Sequence, residues 1–150
     1  GFAEISSLIS DLPWEKPLRV IDFQMAVFDK LRKYIPTPKI LLSSSINKKG
    51  RSNDLVESIL YELKADSYLS AFNSYSYNHQ YAMNNSSYNY QYQQFISQPY
   101  NQPSKDFIPN LSFIDIVACI GLSSFNKYLI SSNKFLTLEE RKAIEEKNIK

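Results

Sequence analysis

The feature that most constrains the fold is a short apolar run followed by a helical stripe and a second short run. Lys39 to Ser44 (KILLSS) has the length and apolar character of a buried strand. After the turn NKKGR, where Gly50 is free to take a positive φ, Leu55, Ile59 and Leu63 recur at helical spacing. Asn53 stands where a cap belongs and Asp54 suits the positive end of the dipole, so a helix is expected over 54–64. Ser67 to Ser70 (SYLS) follows as a brief strand. Strand, helix, strand in that order is the pattern of parallel pairing, because parallel neighbours need a crossover segment. The expected class is therefore α/β, a mostly parallel sheet with flanking helices.

Elsewhere the spacing supplies further elements. Leu18, Ile21, Met25 and Phe28 predict a helix over 17–34, which Pro36 and Pro38 terminate because proline lacks an amide donor. Of the 11 tyrosines, six fall between Tyr75 and Tyr92. Tyr88, Tyr90 and Tyr92 alternate strictly and would share one face of a third strand at 88–95, whereas Tyr75 to Ser87 has no period and reads as a poorly formed helix or a loop. A proline-bearing loop over 97–109 precedes the S-x-x-D box of Ser112 and Asp115, which opens a nearly apolar helix over 112–121 with Gly121 at its end. Thr137 and Glu140 form a second box before a charged helix at 138–148. The expected organisation is a partial α/β domain over 1–130 and a polar C-terminal helical tail over 131–150.

Composition excludes several functions. Seventeen basic against 15 acidic residues leave a formal charge of only +2, so no surplus points to a nucleic-acid partner. One cysteine excludes an internal disulfide, and with one histidine it leaves no His/Cys zinc set, so no metal or other cofactor is expected. The longest apolar stretch, Phe113 to Leu122, is about half the length of a membrane span and carries Asp115. The N-terminus lacks a basic segment followed by an apolar one. A soluble, cytoplasmic protein is expected. That the chain opens on Gly1 and not Met is compatible with a processed start or a truncated one.

Four stretches in order, LKADSYLS at 63–70, YQQF at 92–95, Tyr100-Asn101-Gln102 and DFIPNLSFID at 106–115, resemble the WbqC-like family. Its members carry a GADTYLSG-type stretch, a strand like YQDF, a Y-x-Q element and an FxPNLSxxDLL helix start. Here Lys64 and Ala71 depart from the first of these, and the Tyr/Asn-rich segment replaces a more ordinary helix-like stretch. The family's HQPxYLPW-like turn and NRN element have no counterpart, since Pro13-Trp14 does not match that turn. The resemblance implies a role in bacterial O-antigen and related polysaccharide synthesis, with transfer of glycine or another acyl group to a nucleotide-activated amino sugar. A non-catalytic binding or assembly module in the same pathway is the alternative.

The candidate residues follow from position. Ser70, Asn73 and Ser74 follow a short strand, where open α/β sheets bind ligands, although turn and cap chemistry also uses such residues. Tyr100 and Gln102 lie in the proline-bounded loop and match the Y-x-Q element. Asn110 stands just before a helix N-terminus able to hold a diphosphate, while Ser112 and Asp115 are assigned to the structural cap. These residues suit a nucleotide-activated sugar or another small polar ligand. His79 reads as a surface histidine and Cys119 as a small core residue, and no catalytic residue is identified. The tyrosine cluster suits stacking on sugars or bases, or simply one packed strand face.

Overall fold

The computed structural model describes residues 1–14, 19–84 and 87–148. Along the chain the elements are α1 (Phe2–Ser10), α2 (Val20–Leu31), α3 (Asn53–Glu62), β1 (Ser67–Ala71), α4 (Tyr75–Asn84), β2 (Asn89–Phe95), α5 (Phe113–Ile120), α6 (Leu122–Ser132), β3 (Asn133–Thr137) and α7 (Leu138–Asn148). Short 3-10 turns occupy Ser43–Ser45 and Phe72–Ser74. Two compact units result, one from Gly1–Lys39 and Ser97–Ser132, the other from Ile40–Ile96 and Asn133–Lys150.

The first unit is helical. Ile5 and Leu8 of α1, Ile116 and Val117 of α5, and Leu122, Phe125 and Tyr128 of α6 form its buried core. Neither α1 nor α6 was expected from the sequence. The spacing of Ile5, Leu8 and Ile9 carries the stripe of α1, Leu12 continues it just past the helix end, and the Trp14 indole closes that end by donating to the Ile9 carbonyl at 2.7 Å. The helix expected over 17–34 is α2, although Pro17 and Leu18 lie outside the described residues. Its apolar stripe is not buried: no residue of α2 is, and Val20 is 75% exposed.

Helix α5 begins as expected, with the Ser112 hydroxyl accepting from the Ile114 amide at 3.2 Å. Gly121, at φ +80°, ends it and passes straight into α6, a turn that the left-handed region permits without a side-chain clash. The amide of Leu122, at the start of α6, donates to the Glu4 carboxylate at 3.4 Å.

The second unit holds the sheet, in the order β1-β2-β3. The expectation of a mostly parallel sheet is corrected to a mixed one. β1 and β2 run parallel with Tyr68 opposite Tyr90, whereas β2 and β3 run antiparallel with Tyr92 opposite Leu136. The strand expected at 39–44 does not form. Residues 39–42 are irregular, Ser43 and Ser44 enter the 3-10 turn, and Leu41 and Leu42 are 42% and 38% exposed. An apolar run becomes a strand only when a neighbour accepts its backbone groups, and among the described residues the three strands of this sheet pair with one another and not with this run. The crossover unit is thus β1-α4-β2, one strand later than the first expected unit.

Helix α3 starts one residue earlier than expected. Ser52, not Asn53, holds the cap position, at φ +53° and without a side-chain cap bond. The aperiodic segment 75–87 forms α4 over Tyr75–Asn84, and Asn85 and Ser86 lie outside the described residues. Along β2 the alternation holds: Tyr90 and Tyr92 are buried, while Tyr88 falls just before the strand.

Tyr75, Tyr92 and Leu136 make this unit's core, with Phe72, Leu138 and Ile144 packed around it. The box at α7 closes reciprocally, Thr137 amide to Glu140 carboxylate at 2.8 Å and Glu140 amide to Thr137 hydroxyl at 3.2 Å. Arg141 is buried on the same helix. Its guanidinium lies 4.0 Å from the Phe72 ring centre and 4.6 Å from that of Tyr75, donating to the Phe72 carbonyl and to Glu145.

Candidate functional site

A cavity of about 200 Å³ in the second unit is built by three sequence patterns meeting. The first is strand register: pairing Tyr68 with Tyr90 across parallel neighbours sets two rings side by side, 5.5 Å apart and edge-to-face. The second is helical spacing, since Tyr77 and Tyr81 lie four residues apart on α4 and both line the cavity, with Asn78 between them. The third is the start of α3, where Ser52, Asn53 and Val56 complete the wall. Among the described residues the lining carries no Asp, Glu, His, Cys, Lys or Arg, so the chemistry they offer is that of phenols, amides and one hydroxyl.

Asn78 is held from behind by a buried network. Its amide nitrogen donates to the Ser70 and Ser74 hydroxyls, both at 3.3 Å, and its carbonyl oxygen accepts from the Tyr92 phenol at 3.0 Å. Ser74 gives its hydrogen to the Ala71 carbonyl at 2.6 Å, so Ser70 is the donor in the 2.6 Å contact between the two serines. Burial pushes the Tyr92 phenol up to about 12. It also raises that of Tyr90, with the charge of Glu57 adding to the effect. At the cavity wall Tyr81 donates its hydroxyl hydrogen to the Glu57 carboxylate on α3.

Ser70 and Ser74 are thereby brought together, but within the network and not on the cavity surface. Asn73 is exposed in the 3-10 turn, where its carbonyl accepts from the Ser76 hydroxyl at 3.0 Å. Tyr100, Gln102 and Asn110 belong to the other unit. There the Tyr100 phenol donates to Asp115 at 2.6 Å, and Gln102 grips both the amide and the carbonyl of Ile108, at 2.8 and 2.9 Å. Burial first, and this bond to Asp115 second, push the Tyr100 phenol up to about 12. Asp115 therefore anchors the loop; as half of an expected capping box it is corrected, while Ser112 does cap. Asn110 is exposed at φ +59°, a conformation asparagine tolerates, and its amide donates to Ser97.

His79 shares Nδ1 with the Tyr75 carbonyl at 2.8 Å and stacks on that ring. Burial raises the Cys119 thiol, which keeps it protonated. Sequence reasoning missed Tyr68, Tyr77, Tyr81, Asn53, Glu57 and Asn78 as a group, although the i, i+4 pair on α4 was visible. Among the described residues no group of three or more His, Cys, Asp or Glu is placed to hold a metal ion. No described helix is long and apolar enough to cross a membrane. Compared with known proteins, residues 1–127 match the sequence profile of the WbqC-like protein family. No curated protein and no solved structure matches the chain.

Proposed function

The chain belongs to the WbqC-like protein family, and from that premise we propose that it serves bacterial surface-polysaccharide (O-antigen) biosynthesis by holding the glycosyl part of a nucleotide-activated amino sugar. The observation that carries this reading is the cavity wall of four tyrosines with Asn53 and Asn78. Aromatic faces stack on the C–H surface of a sugar ring, while amides and phenols satisfy its hydroxyls. A volume of about 200 Å³ suits one sugar ring more than a whole nucleotide sugar. The absence of Lys and Arg among the described lining residues, with Asp54 in the first turn of α3, favours a diphosphate outside the cavity. In this reading Ser70 and Ser74 are positioning residues that fix Asn78.

The reaction assigned to such a site is transfer of glycine or another acyl group to the amino sugar, in the cytoplasm. One observation favours the second reading, a non-catalytic binding or assembly module in the same pathway: among the described residues no acid, histidine or cysteine lines the cavity. Amide NMR during titration with nucleotide-activated amino sugars tests the site. Shifts at Asn53, Tyr68, Asn78, Tyr81 and Tyr90 are expected. No binding, or shifts confined to residues away from the cavity, overturns the reading. Binding without turnover across a panel of activated acyl donors selects the module.

A further inference from the structure

We infer that the helical unit carries a binding site of its own, for a small primary ammonium, with the Asp115 carboxylate as its anchor. A cavity of about 440 Å³ opens there between the proline-bearing loop, which contributes Asn101 and Gln102, and α5, which contributes Asp115 and Cys119. Those two residues stand four apart and so share one face of the helix. Phe2 of α1 adds an apolar edge. Every one of these residues belongs to the first unit, so the site stands apart from the sugar cavity.

Among the described lining residues Asp115 alone is charged, and it is partly buried. Both of its donors, the Tyr100 phenol at 2.6 Å and the Gln102 amide at 3.5 Å, meet Oδ2. Among the described residues no donor meets Oδ1 and no cation pairs with the carboxylate. The two donors are neutral, so they fix the group without cancelling its charge. Its place in the first turn of α5 adds only the partial charge of a helix start, about half a unit. The Gly1 ammonium is paired with Glu4 at 2.7 Å. The charge of Asp115 reaches across the cavity, where after burial it is the second cause that raises the Cys119 thiol.

A fixed carboxylate with an oxygen to spare and no partner cation is matched by a cationic donor. Its charge-assisted hydrogen bond is roughly twice as strong as a neutral one. A primary ammonium has hydrogens left for the Asn101 side-chain carbonyl, exposed at the rim. Phe2 and Cys119 then meet a short alkyl stem. A hard metal ion is poorly served, because magnesium and calcium take about six or more oxygen ligands.

Amide NMR of the full chain at constant ionic strength tests this, with ethanolamine hydrochloride as the probe and ethylene glycol as its neutral counterpart. Ethanolamine should shift Asn101, Asp115 and Cys119 with a dissociation constant of about 1 mM, and ethylene glycol should bind about tenfold more weakly or less. Ethanolamine should also slow modification of Cys119, the one thiol of the chain, by dithiodipyridine. Asp115→Asn keeps an oxygen for the Tyr100 phenol and removes the charge, so it should weaken ethanolamine about tenfold and bring the two probes to parity. Asn101→Ala, at an exposed loop position, should weaken it about threefold without shifting the melt. Equal affinity for the two probes in the unaltered chain, an ammonium preference that survives Asp115→Asn, or tighter binding of magnesium overturns the inference. Should Asp115→Asn fail to fold, full ethanolamine affinity in Asn101→Ala, or shifts confined to residues outside this cavity, overturns it instead. None of these outcomes touches the sugar reading, whose residues lie in the other unit.

Discussion

The Tyr92 phenol donates to the Asn78 side-chain carbonyl at 3.0 Å, joining the central strand β2 to helix α4 inside the second unit. Tyr92 is fully buried and Asn78 nearly so. Removing the donor leaves an acceptor with no water to replace it. Tyr92→Phe is therefore expected to destabilise the fold by about 1–3 kcal/mol, read from urea or thermal unfolding. An unchanged midpoint would show that another donor reaches Asn78.

Arg141 clasps the 3-10 turn through its Phe72 carbonyl bond and its stacking on Phe72 and Tyr75. Lysine keeps the charge but loses the planar fork and the stacked face. Arg141→Lys should lower stability by about 1–2 kcal/mol, measured by thermal melting. A melt indistinguishable from the parent would mean that charge alone is what this position needs.

The two helix starts offer an internal comparison. Ser112→Ala removes one bond, to the Ile114 amide, and should cost about 1 kcal/mol. Thr137→Ala removes the hydroxyl from a box whose Glu140 partner still caps in return, so it should cost no more than a similar amount. Unfolding curves for both variants check this, and a silent Ser112→Ala would deny Ser112 the cap.

Alkaline pH should unfold the protein through its phenols. Burial raises Tyr92 and Tyr100 from the ordinary 10 to about 12, so the folded chain holds protons that the unfolded chain releases. Their contribution is fully present below about pH 10 and is lost as pH rises toward about 12. Phenolate absorbance followed beside far-ultraviolet circular dichroism should show late-titrating tyrosines appearing only with loss of structure. Complete titration of all tyrosines in a folded protein would contradict it.

What was legible in the sequence was local. Thr137 and Glu140 stand three residues apart and cap the same helix, and the YNYQYQ alternation writes β2 directly. The run KILLSS had the length of a strand, but whether a neighbour pairs with it is not written in the run itself. Helix α6 was hidden because Leu122, Phe125 and Tyr128 are diluted by serines and an asparagine, and β3 because only Leu136 of its five residues is buried. Asp115 looked like a capping partner until Tyr100, fifteen positions away, took it. The tyrosines of the cavity were visible as a cluster, but their convergence depends on the β1–β2 register, a non-local fact.

The second unit takes its strands β1 and β2 from Ile40–Ile96 and completes itself only with Asn133–Lys150. During synthesis β2 must wait, its outer row of amides and carbonyls bare, while the whole of 97–132 is made. Trimming the chain after residue 127, where the family profile stops, would make that interval permanent, stripping β3 and α7 from Tyr92 and Tyr75. A profile boundary and a folding boundary are different places in this protein, and a fragment cut at the first should be handed to chaperones and proteases instead of reaching a native state.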